Sequence, residues 1–170
     1  NRWSRVIISM HCGSFLMLRQ YIIKRNQLLP DEEENPEMMN EFTISNLLDL
    51  NETIAAELFE GKTYPWEVLP EIGDFILKLG PALNPIEYEC KDGNIWIAKT
   101  AKIAPTASIT GPAIIGKDAE VRHCAFIRGN AIIGEGAVVG NSTELKNAVL
   151  FNRVQVPHYN YVGDSVLGFK

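Results

Sequence analysis

Residues 97 to 150 read IAKTAK-IAPTAS-ITGPAI-IGKDAE-VRHCAF-IRGNAI-IGEGAV-VGNSTE-LKNAVL, nine six-residue units without a break. Each unit opens on an aliphatic residue: Ile97, Ile103, Ile109, Ile115, Val121, Ile127, Ile133, Val139 and Leu145. Four positions later stands a small or β-branched one: Ala101, Ala107, Ala113, Ala119, Ala125, Ala131, Ala137, Thr143 and Val149. Gly116, Gly134 and Gly140 follow the aliphatic residue directly. A period of six fits neither an amphipathic helix at 3.6 nor an ordinary strand at 2.0. It fits the hexapeptide repeat of a parallel β-helix, in which short flat strands turn tight corners and the coils stack. Three units close one triangular coil, with the aliphatic residue inside and the small one where the corner leaves no room. Nine units give three coils, and residues 151–168 have the length of a fourth. The aliphatic slot is then expected to hold Phe151, Pro157 and Gly163, so the rule should fail from Phe151 onward. Side chains there would answer to something other than coil packing, which puts the chemistry toward the end of the chain.

Composition narrows the class. A chain of 170 residues buries a real core as one domain with extensions. Its 46% hydrophobic and 22% charged residues are those of an ordinary globular protein. A net charge of −5 argues against a nucleic-acid partner, which needs a basic face. The three cysteines, Cys12, Cys90 and Cys124, have no paired spacing. They read as cytosolic thiols and not as a disulfide framework or a zinc site. No metal is expected.

Outward from the repeat, the chain divides into residues 1–42, an extension with an acidic linker; 43–94, a helical cap; and 95–170, the β-helix. The sequence begins at Asn1, so its true start is read as missing, processed or misassigned. Val6 to Leu18 is too short to span a bilayer. Arg19, Lys24 and Arg25 follow it where a signal peptide would have small residues. A helix packed on the body or on a neighbouring subunit is expected there, unless residues 1–37 are an upstream extension of a start at Met38 or Met39. Asp31 to Glu37 reads as a solvated linker. Leu47, Leu48, Ile54, Leu58 and Phe59 can share a helix face, with Asn51 as a cap and Gly61 as a stop. Pro65 can open another helix, continued by Ile72, Phe75, Ile76 and Leu79 to Gly80-Pro81. Lys91-Asp92-Gly93-Asn94 is a turn into the first coil. The expected task of these two or three short helices is to cap the open end of the β-helix, since repeat folds need their ends covered.

The stretches Val139-Gly140-Asn141-Ser142-Thr143-Glu144-Leu145-Lys146 and Val156-Pro157-His158-Tyr159-Asn160-Tyr161-Val162-Gly163-Asp164-Ser165-Val166-Leu167-Gly168 resemble a known family. It is the acetyltransferase half of the bacterial N-acetylglucosamine-1-phosphate uridyltransferases (UDP-N-acetylglucosamine pyrophosphorylases). Their pattern is VGN-x-x-E-x-K followed by GH-x-x-Y-x-GD-x-x-x-G. Pro157 replaces the glycine before the histidine; His158, Tyr161, Gly163, Asp164 and Gly168 match. Ile127-Arg128 is similar to the family's leucine-arginine pair, and Tyr64 to Leu69 is similar to the YPWDLL segment of sugar-1-phosphate nucleotidyltransferases. The resemblance covers about residues 97–168 and implies a left-handed β-helix, mainly β, forming homotrimers with ligands between adjacent prisms.

The resemblance also implies chemistry: acyl transfer from acetyl-CoA to an amino-sugar phosphate or nucleotide sugar. That reaction needs cations for the phosphate, a base for the ammonium proton and a donor for the developing oxyanion. Arg128 would clamp the phosphate and Lys146 add a second charge. His158 is the one histidine of the signature, and histidine is the residue type that suits a general base. Tyr161 would hydrogen-bond the sugar or its phosphate, and Asn141 and Glu144 would orient polar groups. The family's uridyltransferase half, with its L-x-x-G-x-G-T-R-M-like loop, has no counterpart in this sequence. Its site-completing asparagine and its acetyl-CoA coils correspond to positions past Lys170. The alternative is a non-catalytic trimeric module that binds sugar phosphates or regulates a separate nucleotidyltransferase. A γ-class carbonic anhydrase is rejected, because it needs three zinc-binding histidines, two close together, whereas His123 and His158 lie 35 residues apart and His11 is remote. A cytoplasmic protein with no membrane partner is expected.

Overall fold

The computed structural model describes residues 41–169 in full, and Trp3–Ser9 and Leu18–Lys24 by their backbone. Those two segments are strands, β1 (Trp3–Ser9) and β2 (Leu18–Lys24), paired antiparallel with Trp3 opposite Lys24. Over Val6–Ser9 and at Leu18 this corrects the helix expected for the stretch Val6 to Leu18, whose residues 10–17 lie outside the described residues. Val6-Ile7-Ile8 and Ile22-Ile23 are β-branched runs that lose χ1 freedom in a helix and suit an extended chain. The acidic linker at Asp31 to Glu37 lies outside the described residues.

The repeat forms a left-handed parallel β-helix of about four coils, with three flat walls. The first wall stacks β4 (Ile95–Ala98), β7 (Ala113–Ile115), β10 (Ala131–Ile133) and the second halves of β12 (Glu144–Leu150) and β14 (Tyr161–Leu167). The second wall stacks β5 (Lys102–Ile103), β8 (Glu120–Val121), β11 (Val138–Val139) and β13 (Gln155–Val156). The third stacks β6 (Ser108–Thr110), β9 (Phe126–Arg128) and the first halves of β12 and β14. Ahead of them β3 (Tyr88–Lys91) pairs antiparallel with β4. The turn between the two uses Gly93 and Asn94 at positive φ.

Register explains the prism. Ile97, Ile115 and Ile133 stack on one another, as do Ile103, Val121 and Val139, and Ile109, Ile127 and Leu145. The expected failure at Phe151 is a shift in frame. One corner is turned by Gly129-Asn130, both at positive φ (88° and 49°). In the next coil a single residue, Asn147 (φ 49°), turns it, and then Asp164 (φ 47°). Ala131 therefore pairs with Ala148 and Ile133 with Leu150. From there the slot holds Leu150, Val156, Val162 and Leu167, all buried. Phe151, Pro157 and Gly163 sit one place past it, and Ala148, not Val149, takes the small position.

The helical stretch is tighter than expected, and it lies elsewhere. Only Ile44–Leu47 (α1) and Ile72–Leu79 (α2) are α-helical; Leu50–Glu52, Ala56–Phe59, Pro65–Val68 and Gly80–Ala82 are single 3₁₀ turns. Asp49, not Asn51, caps the first of these, accepting from the Asn51 N–H at 3.0 Å. Gly61 and Pro65 act as read, Gly61 at φ +72° and Pro65 at the first position of its turn.

These turns do not plug the open end. They cover the outside of the first wall, where Ile114, Ile132 and Val149 are 0% exposed and Val166 1%. Strands β7 and β10 are both Ala-Ile-Ile, so one isoleucine points into the prism and its neighbour out under the helices. Each outward side chain stabilises the junction by roughly 1.5–3 kcal/mol. Phe59 meets Phe151 edge-on at 5.7 Å, and Trp96 lies over Gly80, where even a methyl group would collide with its ring. One core runs through both parts. Among the described residues the base is left open: Ile97, Ile103 and Ile109 line a cavity of about 520 Å³, with Glu89, Lys91 and Lys99 also on its wall.

Candidate functional site

The third wall gathers four of the six predicted site residues by register alone. Ile109, Ile127, Leu145 and Val162 point inward, so their neighbours point out. Phe126, Glu144 and Tyr161 form one outward column. Thr110 pairs with Arg128 and Lys146 with Gly163, so Thr110, Arg128, Lys146 and Gly163 form the second. Strands stack roughly 4.8 Å apart, which puts the Arg128 and Lys146 Cα atoms side by side.

Arg128 does not stand free. Its guanidinium donates to Glu144 Oε1 at 2.6 Å, with side chains 43% and 33% exposed. That hydrogen bond, then the Glu144 charge, holds the guanidinium above its usual range, against a smaller opposing effect of burial and with a still smaller push from Tyr161. The Phe126 ring lies beneath it, 5.9 Å from the guanidinium carbon to the centroid. Lys146 is half-buried and makes no ion pair among the described residues. Tyr161 folds its ring along the wall so that its hydroxyl lies above Gly163. Glu144 and Tyr161 are thus paired across one strand boundary, with two cations in the adjoining column.

His158 and Asn141 fall on the edge between the second and third walls. Register puts His123, Asn141 and His158 in one column along that edge, and Cys124, Ser142 and Tyr159 in the next. The latter three share φ values of 55°, 53° and 56°. The His158 turn is held from below. Thr143, 1% exposed, donates to the Pro157 carbonyl at 2.7 Å. The Asn160 side-chain amide donates to the Pro157 and His158 carbonyls at 3.0 and 2.9 Å. The imidazole itself is exposed, lies edge-on to Tyr159 at 5.5 Å, and has no hydrogen-bond partner among the described residues. Asn141 donates to Ser142 Oγ at 3.2 Å.

Phe126 and Asn160 were not singled out from the sequence, Thr143 was read only as a small residue of the repeat and Gly163 only as a slot and motif residue. The signal for Phe126 and Gly163 was there, since both fall on outward positions of the columns that carry Glu144 and Lys146. Among the described residues no three His, Cys, Asp or Glu side chains converge to hold a metal ion. His123 and His158 are two coils apart, roughly 10 Å, too far to share one within a chain. His123 instead meets Thr106 Oγ1 through Nδ1 at 2.7 Å.

With this wall in place, the likeness to known proteins can be located on it. The family model of the GMPPB C-terminal domain matches residues 109–170, the coils that carry the wall. A bifunctional protein GlmU of Methanococcus maripaludis is 36% identical over 110 residues, 62% of this chain and 26% of the relative. The β-helix is GlmU-like. A GlmU from a second strain of that species is 50% identical over 30 residues, 18% of this chain and 7% of the relative. The chain spans about a quarter of the length of the first of these GlmU relatives. The family match falls on the hexapeptide-repeat β-helix. Among the described residues no helix is long and apolar enough to cross a membrane.

Proposed function

We propose that the chain is an acyltransferase of the hexapeptide class, acting on an amino-sugar phosphate or nucleotide sugar with acetyl-CoA as donor. The observation that carries this reading is the third wall, where Arg128, Lys146, Glu144 and Tyr161 share one outward surface. Arg128 and Lys146 receive the phosphate, the arginine through its planar fork. Tyr161 donates to the sugar or its phosphate. His158, on the neighbouring edge, takes the proton that the sugar ammonium must lose before its nitrogen can attack. Acetyl-CoA supplies the acetyl group. The protein works as a cytoplasmic homotrimer, an arrangement supported by Phe126 and Tyr161, which are 39% and 50% exposed on the wall.

A second reading, a binding or regulatory module without catalysis, is favoured by one feature. A general base is ordinarily oriented by a hydrogen-bond partner, and among the described residues the His158 ring has only the edge-on contact with Tyr159. The test is release of free thiol from acetyl-CoA with glucosamine-1-phosphate, beside a His158→Ala control. Release that depends on His158 establishes the transferase. Calorimetric binding of the sugar phosphate with no release leaves the module, and no binding at all sinks both readings.

A further inference from the structure

We propose that β3 is an association strand, through which two copies of the chain join base to base by antiparallel pairing centred on Cys90. This goes beyond the proposed function and does not depend on it.

Among the described residues β3 ends its sheet, with β4 on one side and an unpaired edge on the other. The Lys99 N–H donates to the Glu87 carbonyl at 2.8 Å, and bonds in an antiparallel ladder alternate. Glu89 and Lys91 therefore spend their backbone groups on β4, while Cys90 turns its N–H and C=O to the free edge. The Tyr88 N–H is already taken by the Asn84 carbonyl, at 2.9 Å. A donor and an acceptor on one central residue are what a two-fold pairing needs. Each Cys90 N–H then meets the Cys90 carbonyl of the second copy.

The side chains fit the same axis. Glu89 and Lys91 flank Cys90 with opposite charges, so reversing the strand brings Glu89 against Lys91 of the second copy, twice over. Both side chains line the open base, 2.9 Å apart and 48% and 56% exposed. Two such pairs merge into a ring of four alternating charges. Edge strands are ordinarily blunted by like charges, lysine above all. This edge carries both signs and does not repel its own copy. Glu89, Cys90 and Lys91 are all exposed, and Ile86, two residues before the strand, is 78% exposed and adds apolar area beside the joint.

The experiment is sedimentation of the full chain beside its Glu89→Lys and Lys91→Glu variants. Either substitution sets like charges opposite one another across the joint, which destabilises a strand pair. At one concentration the native chain should have twice the mass of each variant. Mixed in equal amounts, the two variants set lysine against glutamate at every position again, and the doubled species should return. Equal masses for native chain and variants overturn the proposal. So does a mixture that stays at the lower mass, since the variants would then have lost something other than this joint. Cys90 supplies a second reading. Opposed Cα atoms in a hydrogen-bonded antiparallel pair lie roughly 5.5 Å apart, within disulfide range. Mild oxidation with diamide should therefore cross-link the native chain and leave Cys90→Ser uncoupled. Cross-linking undiminished in Cys90→Ser would put the joint elsewhere and overturn the proposal.

Discussion

Asn147 Nδ2 donates to Asp164 Oδ1 at 2.7 Å, joining two coils at the corner where each has lost one residue. Both residues hold positive φ, a conformation that Asn and Asp tolerate far better than other side chains with a Cβ. Asn147→Ala should therefore lose a partly buried hydrogen bond and add backbone strain together. The expected loss is about 1–3 kcal/mol in urea unfolding. Asn147→Gly, which relieves the strain and still lacks the bond, should recover part of it. Equal losses in the two variants would show that strain has no share.

The doubly covered first wall makes a contrasting pair. Ile132 points outward yet is as buried as Ile133, which points in. Truncating either to alanine should cost about 2–5 kcal/mol. Phe126→Ala, on the outside of the third wall, should cost the single protomer no more than about 1 kcal/mol. A cheap Ile132→Ala would mean that the helical strip contributes little to the core.

Tyr161 rests over Gly163, and a methyl group at Gly163 would meet its hydroxyl. The obstacle is the end of one exposed side chain, so Gly163→Ala should change stability by less than about 1 kcal/mol. It should still tilt the ring off the wall and weaken sugar-phosphate binding several-fold. Unchanged affinity in calorimetry would remove Tyr161 from the site.

High pH should act through Tyr88 and Lys117. Burial, first of all, raises the Tyr88 phenol above its ordinary value of 10.0. The hydrogen bond from the Lys117 ammonium to Glu87, 2.7 Å long, raises Lys117 above 10.5. Both groups then keep their protons longer folded than unfolded, so the native state holds more protons in that window and stability must fall as pH rises. Urea midpoints should be level near neutrality and drop from about pH 10 upward. Tyr88→Phe should soften the drop; a variant that falls as steeply as the native chain would clear Tyr88 of any part in it.

Much of this was legible in the repeat, and what was not has a physical cause. Nine aliphatic residues at spacing six fix the inward slots, because a flat coil gives each wall one inward side chain. The missing residue at Lys146-Asn147 was hidden because Leu150 and Phe151 are adjacent and both apolar. Either can satisfy the pattern, and only the pairing of Ile133 with Leu150 decides. The helices were expected on the open end, although Ile114 and Ile132, each beside a slot isoleucine, already marked a wall with two buried sides. For the site, a period of 18 residues puts Arg128 beside Lys146 and Phe126 beside Glu144. The Arg128–Glu144 contact is diagonal across strands and depends on rotamers, which no spacing records.

The helical strip also settles which way the prism faces. It lies on the first wall and reaches both of that wall's corners, with Gly73 against Asn130 on one side and Glu52 bonded to Asn152 on the other. The edge farthest from it is the one that carries His123, Asn141 and His158, beside the wall of Arg128 and Glu144. Like a spine along the back of a blade, the strip leaves that edge, and the two walls that meet there, free of its own packing. A single outward isoleucine in each of two coils thereby fixes which side of the prism the strip covers.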